Sequence, residues 1–385
     1  MNDTWWVSEG QMDDDQKRVV ALPLDRGQLV VGPPGSGKTN LLVLRAKYLT
    51  LAGRPNFQIV VFTRALREFI AAGADAYGVP GDKIVTSKRF FAGVLYDYGV
   101  KVESVEDFGE QRRKLVEQVA GVVQREGLRN IYDAILLDEA HDYLPEEVEL
   151  FARLSTTLFA VADRRQKIYS GEEPFGVLES IVGDKVELTH HYRNGVNVCR
   201  FADRIGRDRE AFQPIEASCN YNEKDRPSSV RWERCASLDE EIELVISRLS
   251  GQIAAYPDER VGIISPSRSA AARMWAAIEQ TEFADVASFQ GDDEVVRFDE
   301  DVRICVSSLH AAKGLEYRVL HVLSCENFAR RPLPRFLAFT AVTRAKTALY
   351  MYFSGELLGF LDQAIQSLET RPSPPSIERL FGDKG

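Results

Sequence analysis

Gly32-Pro33-Pro34-Gly35-Ser36-Gly37-Lys38-Thr39 lies between the apolar run "QLVV" and a stretch of helical spacing from Gly37 to Leu51. These eight residues restrict the fold more than any other part of the chain. They fit G-x-x-x-x-G-K-[ST], in which glycines let successive backbone N–H groups turn inward around a phosphate. The helix that follows presents its positive N-terminal end. Lys38 would neutralise the β- and γ-phosphates, and the Thr39 hydroxyl would hold Mg²⁺. At average glycine usage the pattern arises by chance in roughly one chain in a hundred of this length. The strand before it and the helix after it lower that further. Gly32, Pro33, Gly35, Ser36, Gly37, Lys38, Thr39 and Asn40 are therefore candidate nucleotide-binding residues.

The rest of the chain repeats the alternation. "FQIVVF" (57–62), "AILLDEA" (134–140) and "TLFAVAD" (157–163) read as buried strands. The pattern restarts with "VRWER" (230–234), "RVGIISP" (260–266), "VRICVSS" (302–308), "YRVLHVLS" (317–324) and "ALYMYFS" (348–354). Helical stretches such as 238–250 and 268–280 lie between them. Short apolar runs separated by helices predict parallel sheets covered on both faces. The spacing predicts two α/β halves, 1–187 and 188–385, with a mostly helical insert at about 72–130 in the first. "EQRRKLVEQVAGVVQRE" (110–126) is the clearest helix of that insert. The tail "RPSPPSIERLFGDKG" reads as mobile in part, and Trp5 and Trp6 as packed against the first half.

Composition excludes several classes. No apolar run approaches the roughly 18 residues of a membrane span, so no membrane partner is expected. No secretory signal is visible at the N-terminus. The five cysteines are dispersed without a C-x-x-C pair, which points to a reducing cytoplasm and away from a zinc or iron–sulfur site. A formal net charge of −10 is not that of a protein whose whole surface coats nucleic acid. Any such contact must use a local basic track.

A second chemical motif is "AILLDEAHD". Asp138 and Glu139 follow a buried strand, where ligands bind in such sheets. Asp138 is placed to hold Mg²⁺, together with Thr39. Glu139, one residue on, would orient and deprotonate an attacking water.

Five further segments set the context. Gln16 precedes the first strand, "ADRRQKIY" (162–169) follows a later one, and "LTHHYRN" (188–194) opens the second half. "SSLHAAKGLEY" (307–317) and "FTAVTRAKTAL" (339–349) come near its end. In this order they resemble the motifs of the UvrD/Rep-like superfamily 1 helicases, over about residues 11 to 355. A DEAH-box helicase of superfamily 2 shares the "DEAH" letters but would end in a glycine- and arginine-rich motif instead of "TAVTRAK".

The resemblance implies two RecA-like P-loop lobes with an ATP cleft between them. It implies that Gln16 reads the adenine edge, that Tyr192 stacks on the adenine and that Glu316 bonds the ribose. Asp163 and Gln166 would link the γ-phosphate to a nucleic-acid track. Arg193 and Arg344 would reach the γ-phosphate from the second lobe as arginine fingers. Lys38, Glu139, Gln166, Arg193 and Arg344 are thus the catalytic candidates. Thr63, Arg64, Thr86, Phe90, Ser308 and His310 would lie along single-stranded DNA, with Arg67, Lys88 and Arg89 adding local positive charge. Hydroxyls and a few basic side chains suit phosphate contact without reading sequence. "RRPLPR" (330–335) reads as a surface loop or a partner site.

The departures from the family pattern matter as much. Only about 60 residues stand where the first accessory subdomain would be, and a few tens where the second would be. No aromatic residue follows "QKIY" before Phe175, and His191 replaces the usual asparagine in "THHYRN". The expectation is a cytoplasmic, ATP- and Mg²⁺-driven single-stranded DNA translocase or helicase, moving 3′ to 5′, with a reduced unwinding apparatus. The alternative is a DNA-sensing regulatory ATPase that controls a partner nuclease in bacterial antiviral defence, DNA repair or genome maintenance. A small-molecule P-loop kinase would leave the motifs of the second half unexplained.

Overall fold

The computed structural model describes residues 10, 12–105, 107–166, 172–206, 214–291 and 301–369. Trp5, Trp6, the tail beyond 369 and most of "GDDEVVRF" lie outside the described residues. The chain is α/β, with two six-stranded sheets whose strands all pair in parallel.

The first sheet contains β1 (Gln28–Val31), β2 (Phe57–Val61), β3 (Ile84–Thr86), β4 (Tyr132–Leu137), β5 (Ser155–Ala162) and β6 (Asp184–Glu187), in the order β3-β2-β4-β5-β1-β6. Its helices are α1 (Asp14–Val20), α2 (Lys38–Leu51), α3 (Arg64–Ala74), α4 (Ser87–Asp97), α5 (Phe108–Arg125), α6 (Pro145–Leu154) and α7 (Phe175–Ile181). Local chemistry sets several helix starts. Asp13 and Gln16 form a capping box at α1. Thr63, Thr86 and Asp107 each accept from the third backbone N–H of α3, α4 and α5. Each such cap is worth about 1 kcal/mol.

The second sheet contains β7 (Ser229–Arg234), β8 (Val261–Ser265), β9 (Ala287–Gln290), β10 (Ile304–Ser308), β11 (Tyr317–Val322) and β12 (Ala345–Phe353), in the order β7-β12-β11-β8-β10-β9. Its helices are α8 (Val196–Gly206), α9 (Leu238–Ala255), α10 (Arg268–Ile278), α11 (Pro334–Val342) and α12 (Gly359–Glu369). No helix among the described residues is long and apolar enough to cross a membrane.

The apolar runs of the sequence became the central strands, apart from "VRWER", which became the edge strand β7. β3, β6 and β9 were not foreseen. They have three or four residues and lie at or near sheet edges, so their apolar signal is short. β3 falls within the stretch read as helical and adds an edge strand to the first sheet.

Three layers of core follow from this. Phe90, Phe91, Val119 and Phe151 belong to one face of the first sheet, under α4, α5 and α6. Ile242, Val245, Met274 and Ile278 cover the outer face of the second, from α9 and α10. Between them runs one continuous cluster. It takes Leu42, Leu66 and Phe69 from α2 and α3 together with Phe201, Phe339 and Leu361 from α8, α11 and α12. Leu309, Ala312 and Leu315, in the connection from β10 to β11, are members of it. Parallel pairing forces that connection to return the length of the sheet. It does so against the first sheet's side, where Lys313 reaches His141 and Gln166.

Candidate active site

β4, β5 and β1 are neighbours, so the segments leaving their carboxyl ends meet. They are Asp138–Glu139, Asp163–Gln166 and the glycine-rich loop. Gly35 has φ +76° and Gly37 has φ +80°, a region that favours glycine. A Cβ on Gly35 would stand 2.4 Å from Arg193 Cβ, and one on Gly37 would stand 2.8 Å from Gln16 Nε2. The sequence pattern is therefore required by space as well as by backbone angle.

Lys38 folds back over this loop and donates to the Gly32 carbonyl at 3.0 Å and the Pro33 carbonyl at 2.8 Å. Burial lowers its pKa to about 8, against the opposing pull of Asp163 and Glu139. Asp138 is 2% exposed. Burial, then the neighbouring Glu139, pushes its carboxyl up to about 7, while a hydrogen bond with Thr39 acts the other way. Asp138 Oδ2 has no hydrogen-bond partner. An orphaned buried carboxylate oxygen beside a threonine hydroxyl fits a hard divalent cation such as Mg²⁺. Thr39 and Asp138 are the residues that would hold it.

Burial alone would raise the Glu139 pKa. Lys313, His141, Arg344 and Lys38 outweigh that and hold it below the usual value. Glu139 also has φ 48° and ψ 43°, a left-handed conformation for a non-glycine residue. Such strain costs on the order of 1–3 kcal/mol and clusters at functional positions. His141 lies 3.4 Å from Glu139 Oε2 and accepts the Asp163 N–H at its Nδ1. Burial and Lys313 lower the His141 pKa, so it stays neutral.

The second sheet's side supplies arginines. Arg344, 2% exposed, donates to the Gln166 side-chain oxygen, to the Thr340 carbonyl at 3.1 Å and to the Leu315 carbonyl at 3.4 Å. Arg193 pairs with Glu316. Gln166 also donates to Asp163 Oδ2 at 2.8 Å. Pro34, Gly35, Lys38, Thr39, Asp138, Glu139, Gln166, Arg193, Gly314 and Arg344 line one cavity of about 20 Å³. That is room for a water and far less than a triphosphate needs.

The adenine candidates sit at the rim. Gln16 is buried and donates to the Ser36 carbonyl at 3.0 Å. Tyr192 is 37% exposed, its N–H bonds the Gly35 carbonyl at 3.1 Å, and its hydroxyl bonds Asp13. Asn40 is buried and bonded to Tyr77 rather than facing the cavity.

The nucleic-acid candidates are mixed. Phe90 is a correction. It is 5% exposed and packed against Phe91, Tyr132 and Phe151, so its ring cannot stack on a base. The hydroxyls of Thr63 and Thr86 serve as helix caps, and both residues remain partly exposed. Arg64 is exposed, and Ser308 and His310 are partly exposed. In "RRPLPR", Arg331 donates to the Pro266 carbonyl and Arg335 to the Ile205 carbonyl, which ties this segment to its own fold.

Sequence reasoning missed Lys313. It is 1% exposed, pairs with Asp142, donates to the Gln166 carbonyl at 2.7 Å and lies 3.0 Å from His141 Nε2. The signal was a lysine inside the apolar "AAKGL", where a solvated charge has no place.

Residues 303–352 match the UvrD-like helicase C-terminal domain family. That span holds Ser308, His310, Lys313, Glu316 and Arg344. No curated protein matches the chain in sequence. Among solved structures, the helicase of PRRSV is similar at 15% identity and a TM-score of 0.44, over 88% of this chain and 54% of that one. Arterivirus nonstructural protein 10, a helicase, is similar at 17% identity and a TM-score of 0.41, over 90% of this chain and 63% of that one. The C-terminal domain of a possible DNA helicase from Lactobacillus plantarum WCFS1 aligns at 18% identity and a TM-score of 0.33, over 46% of this chain and 96% of that one. The chain thus spans about half the length of the PRRSV helicase chain. None of the three shares enough with this chain to carry its activity across. Residues 303–352, which carry five of the residues set around or near the cleft, are thus similar to the UvrD-like helicase C-terminal domain, and the motifs on both sides of the cleft resemble those of superfamily 1 helicases.

Proposed function

We propose that the chain is an ATP-driven motor on single-stranded DNA, with 3′ to 5′ translocation as its family resemblance implies. The observation that carries this reading is the shared cavity. Lys38 and Glu139 from the first sheet line it together with Arg193 and Arg344 from beyond that sheet. Glu139 accepts a proton from water, while Lys38, Arg193 and Arg344 meet the charge that develops on the transferred group. Mg²⁺, held by Thr39 and Asp138, would neutralise phosphate oxygens. Lys38 is bonded to the Gly32 and Pro33 carbonyls, so nucleotide must lift it from the loop to reach its charge. It must also separate Arg193 from Glu316 and Arg344 from Gln166. Exchange of these partners couples nucleotide state to the spacing of the two sheets, and with it to Thr63 and Ser308. The test is ATP hydrolysis with and without single-stranded DNA. A hydrolysis rate indifferent to every nucleic acid would sink the motor.

One observation favours a second reading, a DNA-sensing ATPase that signals to a nuclease. Between β8 and β10 the described residues hold only α10, one short turn at 284–286 and β9. The first sheet's insertions likewise pack on the sheet itself. A core without accessory subdomains translocates or senses more readily than it separates strands. Strand displacement by the lone chain decides between the two: efficient displacement of long duplex removes the second reading.

A further inference from the structure

His191, Cys199 and Cys219 are separated in sequence and meet in space. One donor atom from each lies within 4.8 Å of the other two. His191 belongs to the "THHYRN" segment, Cys199 to the first turn of α8, and Cys219 follows the short turn at 216–218. His191 and Cys199 are 0% exposed, and Cys219 is half-buried. The backbone fixes them: His191 N–H donates to the Ser218 carbonyl at 3.2 Å, and Asn220 N–H to the His191 carbonyl at 2.9 Å. Asp203 on α8 accepts the N–H groups of Ile215 and Glu216 at 2.8 and 3.0 Å.

One donor spacing can be set against that of a tetrahedral centre, and all three lie within 4.8 Å. Metal–sulfur and metal–nitrogen bonds of about 2.3 and 2.05 Å place sulfur and nitrogen about 3.6 Å apart. Cys199 Sγ and His191 Nε2 are 3.7 Å apart. Both thiols donate to the Asn194 carbonyl oxygen, Cys199 Sγ at 3.4 Å and Cys219 Sγ at 3.2 Å, so the two sulfurs converge on one point. Imidazole and two thiols are the ligand set of zinc rather than of a hard cation. Two thiolates and Zn²⁺ sum to zero charge, which suits a buried place. His191 Nδ1 has no hydrogen-bond partner, and Nε2 faces the Ile215 carbonyl at 2.7 Å.

We propose that His191, Cys199 and Cys219 form a zinc site that clamps the segment carrying Tyr192 and Arg193 to α8 and to residues 215–219. Binding releases the two thiol protons, which breaks their hydrogen bonds to the Asn194 carbonyl, and moves the imidazole proton from Nε2 to Nδ1, so that Nε2 gives up its bond to the Ile215 carbonyl and turns to the metal. Zinc does not change oxidation state. The centre would lie two residues from Arg193, outside the nucleotide cavity, and is independent of the ATPase reading.

Cobalt(II) is the probe. Titrated into the reduced full-length protein, it should bind at one equivalent, give a sulfur-to-cobalt charge-transfer absorption and be displaced by zinc. Cys219→Ser and His191→Asn should each weaken cobalt binding at least about tenfold, with the charge-transfer band reduced in Cys219→Ser. Cys199→Ser sits at a fully buried position, so half-buried Cys219 carries the test if that variant fails to fold. Absence of the band in reduced protein with a native melting transition overturns the proposal. So does equal cobalt affinity in wild type and Cys219→Ser. A Cys199–Cys219 disulfide that, once reduced, leaves protein unable to retain metal overturns it as well.

Discussion

Lys313 and Asp142 form an ion pair with 1% and 0% of their side chains exposed, and it bolts the β10–β11 connection to the segment after β4. Removing one partner leaves an uncompensated charge in the interior. Lys313→Met should cost about 3–5 kcal/mol of stability, read from the urea midpoint, and Asp142→Asn added to it should recover much of the loss. A Lys313→Met protein that melts like wild type would show that the pair holds nothing together.

Glu139 and Lys38 separate chemistry from binding. Glu139→Gln should lower kcat by about 10²–10⁴ while nucleotide still binds, because Lys38 and the loop are untouched. Lys38→Ala should lose binding as well. Loss of nucleotide binding by folded Glu139→Gln, measured by calorimetry, would show the glutamate assignment to be wrong.

Arg193 and Arg344 test whether the second sheet's side completes the site. Each alanine variant should lower kcat about a hundredfold or more, on the order of 3 kcal/mol of transition-state stabilisation. Near-normal kcat in both would confine catalysis to the first sheet.

Two shifted groups predict a narrow pH optimum. Asp138, raised to about 7, must lose its proton to hold Mg²⁺, so kcat/KM should climb as pH rises through that value. Lys38, lowered to about 8, loses its charge above that value, so kcat/KM should fall there. The bell reports the free protein's groups. More Mg²⁺ should move the acid limb to lower pH by competing with the proton. A flat profile across both limbs would contradict the two assignments.

Contact with DNA should rest on few phosphates, since the chain is acidic overall at −10. Some ~4 to 6 contacts would give a slope of log K against log salt near about −3 to −4, at −0.7 per contact. Arg64→Ala should weaken binding. Phe90→Leu should not, apart from its effect on stability, because that ring packs in the core. A large affinity loss in Phe90→Leu, with its melting point unchanged, would reverse the correction.

The glycine-rich loop, the DE pair and the central strands were legible because each follows from a local pattern. Gly35 and Gly37 need their backbone angles, and β4 and β5 need their apolar runs. What was not legible depended on partners distant in sequence. Thr63 and Thr86 looked like phosphate contacts, but a threonine before a helix is also a cap. Phe90 was placed on the DNA track by the resemblance of "TSKRFF", yet its helical spacing turns it inward while its neighbours Lys88 and Arg89 are exposed. The dispersed cysteines argued against a metal, but α8 and the return of the chain at 215–219 bring two of them beside His191.

The layer of apolar side chains common to both sheets limits how the molecule can move. Leu309, Ala312 and Leu315 belong to the same cluster as Leu66 and Phe69, so a wide hinge opening would expose that layer to water. The motion left to the cleft is shear, in which packed helices slide by small steps and keep their contacts. Heating should for the same reason melt both halves in one cooperative transition, since neither half keeps its full core without the other.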